Sequence, residues 1–270
     1  MFKRWLLIWI LHIIIRHILC KNVFSLDCYK WLEKVKMNGA WLIKFGKKEH
    51  LEQILDGKLR FCTLSYYRNY EEKESEKGTK DFSEGATEIV YPNTTKSEFE
   101  FYGLSRDEIL GAKKLIFIPK NDKYISCFSY FTEKDINESK IISQDILENK
   151  NWEYVLLFKN PNNLLSKMKE VCEVDFCSGK VHYYKDEQED KVCLDEFHKS
   201  EKFSYQKEFR LSFPVFPEYP RNIEKYDDNS CFVYFGKLDG YICKTADFQE
   251  KVIESFNKQR KAKKEKLLCK

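Results

Sequence analysis

The sequence predicts one α+β domain built on a mixed sheet, with an apolar segment before it and a basic helix after it. Strand-like apolar runs alternate irregularly with short helical patterns along residues 37–247, and no internal repeat divides them. Apolar residues make up 43% and charged residues 33% of the 270 residues, which is typical of a folded soluble domain with a sizeable core. We therefore divide the chain into residues 1–36, 37–247 and 248–270.

Residues 1–36 begin with Phe2-Lys3-Arg4 and continue as an apolar run over residues 5–15 that only His12 interrupts, followed by Arg16-His17-Ile18-Leu19. The basic start and apolar middle are typical of a signal peptide or anchor, but the run is shorter than the roughly 20 residues that span a bilayer. Three interpretations remain open: a helix that contacts a membrane through residues 5–19, a helix that docks on a partner, and an upstream extension of the domain. We expect a cytoplasmic protein, which associates with a membrane through this segment if the first interpretation holds.

The domain opens with a strand over residues 40–45, a helix over 47–56 and a second strand over 59–64. Gly57 stands where a glycine commonly ends a helix. Residues 71–84 are so highly charged that we expect a solvated surface loop, with Asp81 and Glu84 in water.

Later elements follow from apolar runs and the turn residues between them. Strands over residues 115–119 and 124–131 flank Asn121-Asp122 and predict a hairpin. A second strand pair is predicted on either side of Gly236. The chain closes on a helix over residues 248–268 with a basic end, which is more typical of a solvated helix terminus than of a nucleic-acid contact.

Composition argues against several function classes. The formal net charge of +4 does not by itself indicate nucleic acid binding. The ten cysteines are scattered without metal-ligand spacing, so we predict no metal site and a reducing compartment. No phosphate-binding glycine loop, zinc-protease motif, hydrolase elbow or kinase signature is present.

Ser204–Phe213 alternates as a strand does, with Gln206, Glu208 and Arg210 on one face and apolar side chains on the other. If the polar face is exposed, it is an ordinary solvated face. If it lines a cavity, Glu208 becomes a positioned carboxylate with an amide two residues before it.

Three pieces together resemble a known family: Trp41 to Phe61 as strand, helix and strand; Cys127-Phe128-Ser129; and Tyr205-Gln206-Lys207-Glu208-Phe209-Arg210. They resemble, over residues 37–245, a large uncharacterised bacterial family often found beside phage-defence genes. That family is in turn similar to ADP-ribosyltransferase folds, which use NAD as a substrate.

The resemblance implies that Glu208 is the catalytic carboxylate and that Gln206 helps to place the nucleophile. Lys44 stands where the fold carries a His or Arg that holds ribose or phosphate, and a Ser126 or Ser129 hydroxyl would orient the carboxylate. Lysine lacks the planar fork of arginine, so Lys44 is a departure from the pattern. The residues implied to contact NAD are Lys44, Arg60, Ser126, Ser129 and Tyr130.

The expected function is transfer of ADP-ribose from NAD to a protein or nucleic acid, by a toxin or defence effector. A carboxylate beside the ribose would stabilise the positive charge that develops when the nicotinamide bond breaks. Tyr130 or Tyr124 could stack on nicotinamide, although core packing is the more common role of such residues. The alternative is a non-catalytic module of the same fold that senses a nucleotide or a phage protein, which the departure at Lys44 favours.

Overall fold

A computed structural model describes residues 40–70, 81–90, 115–148, 152–158, 160–172, 175–185, 191–250 and 252–253. These residues all belong to one compact unit, residues 39–270. The apolar segment of residues 1–36 lies outside the described residues, as does most of the predicted basic helix. The described part of that helix begins at residue 245.

Strands dominate the described residues. In chain order they are β1 Ala40–Gly46, β2 Lys58–Thr63, β3 Glu88–Val90, β4 Leu115–Phe117, β5 Lys123–Thr132, β6 Tyr154–Phe158, β7 Cys177–Lys180, β8 His182–Tyr184, β9 Lys191–Cys193, β10 His198–Ser200, β11 Glu208–Pro214, β12 Ile223–Asp227, β13 Ser230–Tyr234 and β14 Gly240–Lys244. The helices are α1 Lys48–Leu55, α2 Leu64–Asn69, α3 Glu133–Asn137, α4 Gln144–Leu147, α5 Pro161–Cys172 and a 3-10 helix at Glu201–Gln206.

The large sheet has nine strands: seven in the order β12-β13-β2-β5-β1-β6-β14, then β11, which pairs with β5, and β7, which pairs with β11. The α+β class is confirmed, but the predicted mixed sheet was wrong, because every pair in this sheet is antiparallel. Short connections such as residues 228–229 between β12 and β13 allow only antiparallel pairing, since parallel strands need a crossover of about a dozen residues. A three-stranded sheet β4-β3-β9 and the parallel pair β8–β10 lie apart from it.

Strand β5 pairs with three strands of the large sheet, and the pairing along one of its edges is interrupted. One edge of β5 pairs with β11 along its length, from Lys123 to Ser129. The other edge pairs with β2 only at residues 124–125 and with β1 only at residues 129–132. No described strand pairs with residues 126–128 on that edge, so β1 and β2 diverge and leave an opening between them.

The core covers both faces of β1, because consecutive residues Leu42 and Ile43 are both almost completely buried. Ile43 belongs to an apolar cluster with Phe131 on β5 and Phe248 on the last helix. Leu51 and Ile54 are the buried residues of α1, as its helical spacing predicted. Packing on both faces holds β1 and β5 in place at the break.

Gly57 ends the α1–β2 connection in a conformation that requires glycine. Its φ is +93°, and a Cβ there would lie 2.5 Å from the carbonyl oxygen of Gly236. The backbone is therefore both left-handed and in close contact with a second chain segment.

We expect Gly57→Ala to lower the free energy of unfolding by about 2–4 kcal/mol, because it adds backbone strain and a steric clash. Urea denaturation would measure the change. Gly46→Ala is the matched control, since its added Cβ would meet only the Leu51 side chain, at 3.6 Å or more. Equal stability of the two variants would contradict the prediction.

Two predicted strand pairings were wrong. The strands on either side of Asn121-Asp122 do not form a hairpin, because β4 pairs with β3 while β5 joins the large sheet. The strands on either side of Gly236 also separate, since β13 pairs with β2 and β14 pairs with β6. Apolar runs located the strands correctly, whereas turn residues did not identify their partners.

Among the described residues, no helix has the length and apolar character needed to cross a membrane. Cys62, Cys127, Cys172 and Cys231 are free thiols, and Cys62, Cys172, Cys231 and Cys243 are buried. Such thiols pack as small apolar groups.

Candidate functional site

Strand β11 is buried on both faces, which decides between the two interpretations of its polar residues. Glu208, Arg210 and Ser212 are at most 3% exposed, and the apolar residues between them are equally buried. The predicted strand begins too early, because Gln206 ends a 3-10 helix and Lys207 has a left-handed φ of 43°. Glu208 is therefore the first residue of the strand, and its side chain faces the interior.

Arg210 is fully buried and joins two carboxylates. Its Nη1 and Nη2 atoms donate to Glu84 Oε1 and Oε2 at 2.6 and 2.8 Å, and its Nε donates to Glu208 Oε1 at 2.6 Å. Lys199 Nζ donates to Glu208 Oε2 at 3.1 Å and to Gln206 Oε1 at 3.0 Å. Two buried anions thus face two buried cations, as their burial requires. We call Glu84, Lys199, Glu208 and Arg210 the ion cluster.

Sequence analysis missed Lys199 of this cluster and also Glu84. It was predicted to be solvated, together with Asp81, but their side chains are buried at 3% and 2% exposure. Asp81 Oδ1 accepts hydrogen bonds from the backbone NH and the hydroxyl of Ser83, and Gly85 has a φ of +68°. This tight turn carries Glu84 into the interior. The Ser-Glu-Gly sequence was the available signal for such a turn, and the surrounding charges obscured it.

The two carboxyl groups of the ion cluster differ in their pKa. Burial opposes ionisation of Glu208, but the charges of Arg210 and Lys199 outweigh it and hold its pKa well below the usual range. For Glu84, burial is the larger influence, so its pKa is raised in spite of Arg210 and Lys199. Glu208 is therefore a weak base but a permanent anion at neutral pH.

A cavity of about 200 Å³ opens beside the Glu208 carboxylate. Ser129 on β5 lies opposite Glu208 in the strand register, and both residues line this cavity. Its complete lining is Lys44, Phe45, Tyr67, Glu84, Cys127, Phe128, Ser129, Ile146, Trp152, Lys199, Gln206 and Glu208. Aromatic walls and a group of convergent polar side chains are typical of a small-molecule site.

Lys44 occupies the opening between β1 and β2. Its Nζ donates to the Cys127 carbonyl, which no described strand pairs on this edge, and to Ser126 Oγ at 3.4 Å. The ammonium also lies 4.8 Å from the ring centroid of Phe128. Burial lowers the pKa of Lys44. A half-buried cation with these neutral partners is suited to an incoming anion.

A second cavity, of about 550 Å³, shares Lys44, Phe45 and Tyr67 with the first. The two cavities therefore meet at the break in the sheet. Arg60 lines the second cavity and not the first. The other residues of this lining are Gly46, His50, Leu51, Gln53, Ile54, Lys58, Leu59, Cys62, Tyr66, Tyr70, Ser126, Tyr226 and Phe232.

The structure places the remaining predicted site residues apart from one another. Ser129 lines the first cavity and Ser126 the second. Tyr130 lines neither cavity, and its ring lies 4.2 Å from Lys180 Nζ. Tyr124 is packed in the core, where its hydroxyl shares a 2.8 Å hydrogen bond with that of Tyr219. Neither ring lines these two cavities, so stacking of Tyr124 or Tyr130 on nicotinamide stays a prediction.

This arrangement is suited to stabilising a positive charge that develops on a ligand. A carboxylate has about four lone-pair positions, so Glu208 can accept a further hydrogen bond beside those from Arg210 and Lys199. Within the residues the structure describes, no group of three or more His, Cys, Asp or Glu side chains could hold a metal ion.

No known family model matches the chain, and comparisons with curated proteins and with solved structures also found no match.

Proposed function

We propose that this protein cleaves the bond between nicotinamide and ribose in NAD and transfers ADP-ribose to a macromolecule. The observation that carries the proposal is the placement of Glu208, an anionic carboxylate beside a cavity at a break in the sheet. On this proposal the protein is a toxin or a phage-defence effector, as the resemblance of its three sequence pieces implies.

The chemistry requires an anion rather than a base. As the C1′–N bond breaks, nicotinamide leaves with the bonding electron pair and positive charge develops on the ribose carbon. Glu208 would stabilise this charge from a preorganised position of low dielectric constant. The acceptor oxygen or nitrogen then bonds to C1′ and releases its proton to water, since the low pKa of Glu208 makes it a poor proton acceptor.

The two adjoining cavities provide room for the two halves of a dinucleotide. A pocket of about 300–1,000 Å³ is typical of small-molecule sites, and the cavities of 200 and 550 Å³ together fall in that range. Lys44 lines both and would meet the diphosphate between them. Aromatic residues Phe45 and Tyr67, which also line both, offer surfaces for a base or for nicotinamide.

A second candidate is a module that binds a nucleotide without cleaving it. One specific observation favours it: both oxygens of Glu208 already accept hydrogen bonds, from Arg210 and from Lys199. On this alternative the ion cluster is structural and the cavities sense a ligand.

Nicotinamide release from NAD by the purified protein is the test. Ser129→Leu would fill the space opposite Glu208 and leave the ion cluster intact, so we expect release to fall at least about tenfold. The free energy of unfolding should change by about 1 kcal/mol or less, because the added side chain enters a cavity. Chromatography of the products and urea denaturation would measure the two effects.

Ser166→Leu, on the exposed face of α5, is the matched control and should leave the rate unchanged. NAD binding by the wild-type protein without any nicotinamide release would favour the binding module. Equal release by wild-type and Ser129→Leu proteins would remove this cavity from the reaction.

A further inference from the structure

Cationic and aromatic side chains alternate on one face of strands β2 and β13, at the mouth of the second cavity. The strand register pairs Arg60 with Phe232 and Lys58 with Tyr234, so each pair lies on the same face. Tyr66 from α2 and Tyr226 from β12 complete the group. We call these six residues the aromatic–cationic surface.

Each cation of this surface lies against two rings. Lys58 Nζ is 4.1 Å from the ring centroid of Phe232 and 5.6 Å from that of Tyr234. The Arg60 guanidinium carbon is 5.9 Å from the ring of Tyr66 and 5.7 Å from that of Tyr226. These contacts keep the positive charges among aromatic rings, of which those of Tyr226 and Tyr234 are exposed.

The charge of the second cavity favours an anionic ligand. Lys44, Lys58 and Arg60 line it, His50 lies beside them, and no carboxylate is among its described lining residues. On this surface the Tyr234 hydroxyl donates to Glu224 Oε2, and Asp227 Oδ2 is 3.9 Å from Arg60 Nη2 with both side chains about half exposed. Such an exposed pair is worth at most about 1 kcal/mol, so a phosphate can displace it.

We propose that the aromatic–cationic surface binds single-stranded nucleic acid, and, if the proposed function holds, that this strand is the ADP-ribose acceptor. Stacking of successive bases on aromatic side chains, with cations following the phosphates, is how proteins hold unpaired strands. The acceptor role rests on the proposed function, whereas binding of the strand does not.

The extent of the surface favours a strand over a mononucleotide. Tyr226 is 66% exposed and Tyr234 is 37% exposed, and Tyr234 lies outside the cavity lining. Phe232 and Tyr234 are two residues apart on one face of β13, which separates them by about 7 Å. The surface thus continues beyond the space that one nucleotide fills. Paired bases hide their faces in a duplex, so double-stranded nucleic acid would not use these rings.

Fluorescence anisotropy of labelled oligodeoxythymidine and oligouridine with the full chain, in the absence of NAD, tests the proposal. We expect binding that weakens as salt rises, together with weak binding of a duplex of equal length. Tyr226→Ala should weaken binding about fivefold or more, from the loss of one stacked base. Arg60→Gln should reduce the salt slope by about 1, as one phosphate contact is lost.

Tyr241→Ala is the matched control, because Tyr241 is a 48% exposed tyrosine on β14, away from this surface. Both tyrosine variants retain the basic C-terminal residues, so non-specific attraction to them cancels in the comparison. Equal affinities of Tyr226→Ala and Tyr241→Ala, or tighter binding of duplex than of single strands, would overturn the inference.

Nicotinamide release by the same preparation separates this inference from the proposed function. NAD cleavage without oligonucleotide binding would overturn the proposed binding of nucleic acid to the aromatic–cationic surface, and would leave the proposed function unaffected. Oligonucleotide binding without NAD cleavage supports the surface and removes its role as an acceptor site. Complete displacement of the oligonucleotide by low concentrations of AMP would indicate a mononucleotide site and overturn the inference.

Discussion

Replacement of Arg210 by methionine is expected to lower the free energy of unfolding by about 3–5 kcal/mol, because it leaves two buried carboxylates without their shared cation. Arg210 donates to both oxygens of Glu84 and to one oxygen of Glu208, and its side chain is fully buried. Methionine fills much of the same volume, so the loss would report on charge rather than on an empty cavity. Urea denaturation followed by circular dichroism would measure it.

Arg221→Met is the control for this variant, since Arg221 is exposed. Adding Glu84→Gln to Arg210→Met should recover part of the stability, because one of the unpaired charges is removed. A change below about 1 kcal/mol in Arg210→Met would contradict the structural role that we assign to the ion cluster.

Glu208→Gln is expected to lower the rate of nicotinamide release by about 10²–10³-fold, the effect of removing one preorganised electrostatic group from a reaction centre. The amide cannot offset positive charge on the ribose carbon. The variant should also lose stability, because Lys199 and Arg210 would be left with a single carboxylate between them. Release should therefore be measured at a temperature where circular dichroism reports a folded protein, and normalised to the folded fraction.

Glu208→Asp distinguishes the effect of the negative charge at residue 208 from the effect of the position of its carboxylate. It keeps the negative charge but withdraws the carboxylate by one methylene, so the ion cluster should lose less stability than in Glu208→Gln. The rate should still fall by about 10²-fold, since an ångström of misplacement has effects of that size. Wild-type release rates in folded Glu208→Gln protein would eliminate Glu208 as the catalytic group.

Local sequence patterns predicted the elements around the site well. Apolar runs indicated β1 and β5, and helical spacing with Gly57 at the end indicated α1. These patterns are informative because an apolar side chain must face the core in whichever element carries it. Gln206 and Glu208 were singled out for the same reason, as polar residues beside a regular apolar series.

Partners across the chain were not predictable in this way. Glu84 lies 126 residues before Arg210, and no local pattern relates a charged loop to a buried strand so far along the chain. The hairpin expected between β4 and β5 failed for a related reason, because turn residues permit a reversal without specifying which strands will pair.

The sequence alone therefore determined the α+β class, the positions of most strands and helices, and the choice of Glu208 as the carboxylate of interest. The tertiary structure decided that both faces of β11 are buried and that Lys199 and Arg210 hold Glu208 ionised. It also decided that β1 and β2 diverge, so that the side chain of Lys44 lies in the opening between them. The physical reason is that side-chain periodicity reports which face of an element turns away from water. Which distant element covers that face depends on the packing of the whole chain.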